Sequence, residues 1–175
     1  GFDKAAQITE EIFAEFDQRF GRKLQVAENY MLDDADVAVV TIGSMSGTGK
    51  YVVNQLRKQG IKAGLLRICM FRPFPAEMIR KMLENVKVIG VVDRSAGLGA
   101  AQAPVTLEIK AAMYGKSAKI FGLVGGLAGR DISDSTFRRI FAELIAVYNG
   151  ESDHVTQWFD LKDDPMSLRE VDGVC

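Results

Sequence analysis

The side chains in this sequence that could do chemistry are few, and their spacing excludes most of the reactions they might serve. His154 is the single histidine and lies among acids, beside Asp153 and near Glu151. Imidazole metal sites and acid–base pairs need a second group, and no motif around His154 supplies one. The expectation is a surface histidine. Ser44, Ser46 and Ser95 lack the Gly-x-Ser-x-Gly turn that exposes a nucleophilic hydroxyl, so serine hydrolysis has no support. Cys69 and Cys175 are too few for a disulfide framework or a four-thiolate cluster, and no Cys-x-x-Cys spacing joins them. Cys69 sits in an apolar run and is expected in the core.

A glycine-rich turn, Gly43-Ser44-Met45-Ser46-Gly47-Thr48-Gly49-Lys50-Tyr51, invites a phosphate-binding reading. A phosphate loop needs a glycine five residues before the Gly-Lys pair and a hydroxyl residue after it. Ser44 and Tyr51 occupy those positions, so the pattern fails twice. Read as a dinucleotide turn, Gly47-Thr48-Gly49 meets Val52 where the third glycine belongs, and Gly97-Leu98-Gly99 meets Gln102. Both are expected to be strand-to-helix turns, with free N–H groups that could meet an anion opportunistically. The remaining candidates are charged residues just past apolar runs: Arg72 between Phe71 and Pro73, the pair Asp93-Arg94, and Arg130-Asp131 after Gly125-Gly126. Their ordinary reading is an ion-pair cluster that fixes loops. The competing reading is a contact surface for a partner domain.

Those positions imply the elements that carry them. Ile8, Ile12, Phe13, Phe16 and Phe20 fall at helical spacing before Gly21. Val37–Ile42, Ile61–Met70, Val86–Val92 and Ala118–Val124 read as buried strands. Helices are expected over 48–59, around Met78-Ile79-Met82-Leu83, around Val105-Ile109-Ala112-Met113, and from Phe137 to Tyr148. Val155–Leu161 alternates enough to suggest a last, edge strand. Strands alternating with helices predict a doubly wound, mostly parallel five-stranded sheet in three α/β/α layers. Residues 1–30 read as a leading helix and linker, 31–163 as the α/β domain and 164–175 as a loose tail.

With 175 residues, 47% hydrophobic and 26% charged, the chain has ordinary globular composition for about one domain. No run of apolar residues is long enough to span a membrane, and no secretory signal is visible, so a cytoplasmic address is expected. The chain opens on Gly1 rather than Met, and the expectation is a piece of a longer protein. Net charge is −1, which offers nothing to nucleic acid as a whole. Residues 50–87 nevertheless hold nine cations against Glu77 and Glu84. From Glu151 onward seven acids face Lys162 and Arg169. Such blocks are usually solvated faces; the alternative for the basic block is docking of an acidic protein.

Four loop motifs arrive in order on successive strand ends: Ile42-Gly43-Ser44, Phe71-Arg72-Pro73-Phe74-Pro75, Val91-Val92-Asp93-Arg94-Ser95, and Gly125-Gly126-Leu127-Ala128-Gly129-Arg130-Asp131. Together they resemble the alpha subunit of 2-oxoacid:ferredoxin oxidoreductases, in its second domain, which is similar to the transketolase carboxyl-terminal domain. The resemblance spans roughly Gly1 to Leu161. It departs at Ala128, where the family's Gly-Leu-Gly-Gly-Arg-Asp has glycine. The resemblance implies a parent enzyme that oxidatively decarboxylates a 2-oxoacid, with pyruvate the default substrate, to acyl-coenzyme A and CO2. It implies thiamine diphosphate, magnesium, [4Fe–4S] clusters and coenzyme A in that enzyme, none of them bound by this chain. Implied partners are an upstream catalytic domain of the alpha subunit, beta, gamma and delta subunits or equivalent domains, and ferredoxin or flavodoxin as acceptor. No nucleic acid and no membrane are implied. The chain itself would be architectural and inactive alone, with Arg72, Asp93, Arg94, Arg130 and Asp131 as contact residues. Two other readings stand beside it: the carboxyl-terminal domain of a transketolase or 2-oxoacid dehydrogenase, and a free-standing nucleotide-binding module.

Overall fold

The computed structural model describes residues 1–161, so the expected tail at 164–175, with Cys175, lies outside the described residues. Its centre is β2 (Val37–Ile42), a β-branched run buried on both faces. That is the signature of a strand covered by helices on each side. Around it the order is β1-β3-β2-β4-β5, with β3 at Ala63–Ile68, β4 at Val88–Asp93 and β5 at Lys119–Val124. β2, β3, β4 and β5 run parallel, while β1 (Ala27–Tyr30) pairs antiparallel with β3 in the register Glu28 to Arg67.

Two cores sandwich this sheet. On one face α2 (Ser46–Lys58) and α5 (Asp134–Tyr148) bury Val52, Val53, Phe137, Ile140, Phe141 and Leu144 against Val39 and Leu65. Ser133 caps α5, its hydroxyl accepting from the Thr136 N–H at 3.2 Å. On the other face α3 (Ala76–Met82) and α4 (Pro104–Ala112) bury Ile79, Val105 and Ile109 against Val40, Ile89 and Val91. α4 starts on proline, which is preset for a first helical turn. α1 (Phe2–Phe20) ends at Gly21, whose φ of 62° closes the helix with a bond to the Asp17 carbonyl. None of its described residues is buried.

The doubly wound, five-stranded expectation holds, but its fifth strand is a different one. Val155–Leu161 makes only an isolated bridge, Val124 to Trp158. Val155 and Phe159 are buried four residues apart rather than alternately, and Asp160 turns to φ 58°, which ends any extended run. β1 supplies the fifth strand instead, inside the stretch expected to be linker. Its sequence, Ala-Glu-Asn-Tyr, has no apolar alternation to betray it; pairing with β3 defines it. The expected strand 61–70 shortens to Ala63–Ile68, which leaves Cys69 past its end and exposed rather than in the core.

Candidate functional site

The carboxyl ends of β2, β3, β4 and β5 form one rim. β2 leads to α2 on one face, whereas its neighbour β4 leads to α4 on the other, so their loops diverge as at a ligand-binding switch point. All five predicted residues lie on this rim, and the structure gives four of them work within the domain.

Asp93, the last residue of β4, is only 2% exposed. Its carboxylate accepts from the Val105 and Thr106 N–H groups at 3.1 Å each and from the Thr106 hydroxyl at 2.9 Å. These are free donors of the first turn of α4, where the helix dipole favours an anion. Burial pushes its pKa above the ordinary carboxylate value, and the three hydrogen bonds oppose that shift. Asp93 therefore faces α4 rather than solvent, and its role is to anchor that helix.

Arg94 ties the loop after β4 to the loop after β5. Its guanidinium donates to the Gly126 carbonyl at 3.3–3.4 Å and to the Arg130 carbonyl at 3.1 Å. Gly126 has φ 67°, and a Cβ there would stand 2.9 Å from Arg94 Nε, so this close approach needs glycine. Arg130 reaches in turn to the Asp160 carbonyl at 2.6 Å, clasping the closing segment of the described chain. Asp131 is exposed and makes no ion pair among the described residues. Arg72 pairs with Glu108 of α4 at 2.6 Å and lies 4.1 Å above the Phe71 ring. With both partners partly exposed, that pair contributes only about 0–1 kcal/mol. Sequence reasoning missed Glu108, Thr106 and Asp160 as partners, because nothing local links them to the rim.

The glycine turn is not a phosphate cradle. α2 begins at Ser46, so Gly47 and Gly49 lie inside a helix. The Ser46 hydroxyl is engaged with the Gly43 carbonyl and Thr41 Oγ1, both at 2.9 Å. A Cβ on Gly49 would stand 2.5 Å from Leu65 Cδ1, so glycine here permits close helix-on-sheet packing. His154 is exposed, as expected. Among the described residues no three His, Cys, Asp or Glu side chains group as metal ligands. With Cys69 the one described thiol, the donor set does not fit an iron–sulfur cluster. A groove of about 490 Å³ lies between α1, β1 and α3, beside the β3 end of the rim, and is lined by Phe13, Leu24, Met78 and Met82 together with Glu10 and Asp17.

Residues 35–137 match the family model described as pyruvate:ferredoxin oxidoreductase core domain II. The alpha subunit of an NADH-dependent phenylglyoxylate dehydrogenase from Aromatoleum evansii is 39% identical over 86% of this chain and 37% of its own length. Pyruvate synthase subunit PorA of Thermotoga maritima is 39% identical over 82% of this chain and 37% of its own. Ketoisovalerate oxidoreductase subunit VorA of Pyrococcus abyssi is 35% identical over 91% of this chain and 41% of its own. The chain thus spans about two fifths of the length of the curated relatives it matches.

Proposed function

Since this chain belongs to the pyruvate:ferredoxin oxidoreductase core domain II family, we propose that it is a non-catalytic, architectural domain of the alpha subunit of a 2-oxoacid:ferredoxin oxidoreductase. One observation carries the reading: the charged rim side chains brace loops and a helix, and among the described residues no three His, Cys, Asp or Glu side chains group with them as metal ligands. The relatives support it. Their names give three different 2-oxoacids, phenylglyoxylate, pyruvate and ketoisovalerate, on chains that share this domain at 35–39% identity. Substrate choice then belongs to residues elsewhere, and this domain is a common frame.

In the parent enzyme a 2-oxoacid, pyruvate by default, is converted to acyl-coenzyme A and CO2 with electrons passed to ferredoxin. Thiamine diphosphate with magnesium, [4Fe–4S] clusters and coenzyme A supply that chemistry from other domains and subunits. The part played here is positional. Arg72, Arg94, Arg130 and Asp131 are the exposed rim groups that meet a neighbouring domain, the arginines through planar forks suited to carboxylates. Asp93 acts behind them by fixing α4. α1, with Ile8, Ile12 and Phe20 exposed, packs against the part of the alpha subunit that this chain does not span.

In the assembled enzyme, Arg72→Ala and Arg130→Ala should each weaken subunit association about tenfold or more, read by sedimentation, as expected when truncation leaves a partner carboxylate unpaired. Association at the wild-type midpoint in both variants overturns the proposal. The 175-residue chain alone should show no pyruvate- and coenzyme A-dependent reduction of methyl viologen; turnover by it also overturns the reading. The NADH-dependent relative favours one variation, a parent linked to NAD. Reduction of NAD but not viologen by the whole enzyme would establish it.

A further inference from the structure

The sheet ends at one side in the short antiparallel β1 and at the other in β5, whose outer edge is half covered. Along β5, Lys119 donates its N–H inward to the Lys87 carbonyl at 2.9 Å. Val124 points outward: its N–H donates to the Gln157 carbonyl at 2.7 Å, and its carbonyl accepts from the Phe159 N–H at 2.9 Å. Backbone direction alternates along a strand, so Ile120 and Gly122 also present their N–H and C=O groups outward. Unlike Val124, they meet no strand among the described residues. The edge therefore accepts backbone partners, and the described residues fill only its upper half.

Two other features flank the open half. The outer side of α4 and the turn after it expose Leu107 and Tyr114, the latter 84% exposed and seven residues further along the chain. Lys87, Lys110, Lys116 and Lys119 are exposed around them, and none is in an ion pair among the described residues. Acids on the adjoining segments, Glu84, Glu151 and Asp153, are not paired with these lysines either. An aromatic side chain, a row of free backbone groups and a set of free ammonium groups thus share one corner of the molecule, at the opposite end of the sheet from the rim.

We propose that the lower half of the β5 edge is a docking site for an extended, acidic segment of a partner protein. The segment adds as a strand to Ile120 and Gly122, its apolar side chains pack on Tyr114 and Leu107, and its carboxylates meet Lys110, Lys116 and Lys119. Strand addition draws affinity from main-chain bonds and selectivity from alternate side chains. Lysines at an edge also deter self-pairing by like-charge repulsion, so the same residues that admit an acidic strand keep a second copy of this chain away.

The probe is a fluorescein-labelled peptide of about six residues alternating Glu and Val, matched to a strand whose side chains alternate between faces. Anisotropy should show saturable binding to the 175-residue chain that weakens steeply with added salt, because exposed charges are screened. Ile120→Pro removes an outward N–H and leaves the bonds to β4 intact; it should weaken binding several-fold, the worth of one hydrogen bond. The double variant Lys110→Glu, Lys119→Glu should weaken it about tenfold or more, and it decides the matter if Ile120→Pro fails to fold by circular dichroism. No saturable binding by the wild type overturns the proposal. So does unchanged binding by a folded Ile120→Pro or by the double variant. Equal affinity for single-stranded DNA of the same charge also overturns it, since that would be polyanion attraction without a strand.

Discussion

Truncating Asp93 strands three donors at once, the Val105 and Thr106 amides and the Thr106 hydroxyl, at a position that water does not reach. Asp93→Ala should therefore cost about 2–4 kcal/mol in urea unfolding, the sum of a lost helix cap and buried unpaired groups. The pH dependence has a definite sign. Burial raises the folded-state pKa above the unfolded value, so the folded protein binds more protons in the window between them. The titration's contribution to stability is full below the ordinary carboxylate range and is lost as pH rises through the raised value. The gap between wild type and Asp93→Ala should narrow across that window; a gap that widens refutes the assignment. At Ala128 the sequence departs from the glycine of the resembling family, and the structure shows what this entails: φ 53°, ψ 37°, a left-handed conformation. Left-handed geometry costs a non-glycine residue about 1–2 kcal/mol, and glycine gives back part of that through unfolded-chain entropy. Ala128→Gly should stabilise by about 0.5–1 kcal/mol, read as a rise in the urea midpoint.

Among the elements, α1 stands apart. It lies outside residues 35–137, the span of the family match, and none of its described residues is buried. Phe13 is half-buried over the groove toward α3, while Ile8, Ile12 and Phe20 face out. Removing residues 1–21 should cost the sheet domain no more than about 1–2 kcal/mol, the worth of one partly buried aromatic side chain. Loss of cooperative unfolding on that deletion would make α1 part of the core and sink its assignment as a contact element. The other helices were legible because each carries apolar residues on one face at 3.6-residue spacing, as Phe137, Ile140, Phe141 and Leu144 do in α5. β2 and β4 were legible as unbroken apolar runs. β1 was not, because an edge strand exists through its ladder to β3 rather than through its composition. The same reasoning reversed explains Val155–Leu161, whose apolar residues serve two packing contacts and one bridge instead of a strand face.

Across the whole molecule the folded chain redistributes the charge blocks. Nine cations between residues 50 and 87 suggest one basic face. The fold divides them: Lys50 and Arg67 go to Glu28, Arg57 to Asp34 and Arg72 to Glu108. The cationic corner that remains draws three of its four lysines from residues 110–119, outside that block. By itself the sequence determined the alternation of strands and helices, the layers they form, and the four loop motifs that land on one rim. Those are local properties, set by hydrophobic period, turn residues and glycine placement over a dozen positions at a time. Only the tertiary structure decided which strand closes the sheet, which acid meets which base, and that Asp93 turns inward to hold α4. Such pairings join residues 12 to 41 positions apart, and they form only after the cores on both faces of the sheet have fixed where each element ends.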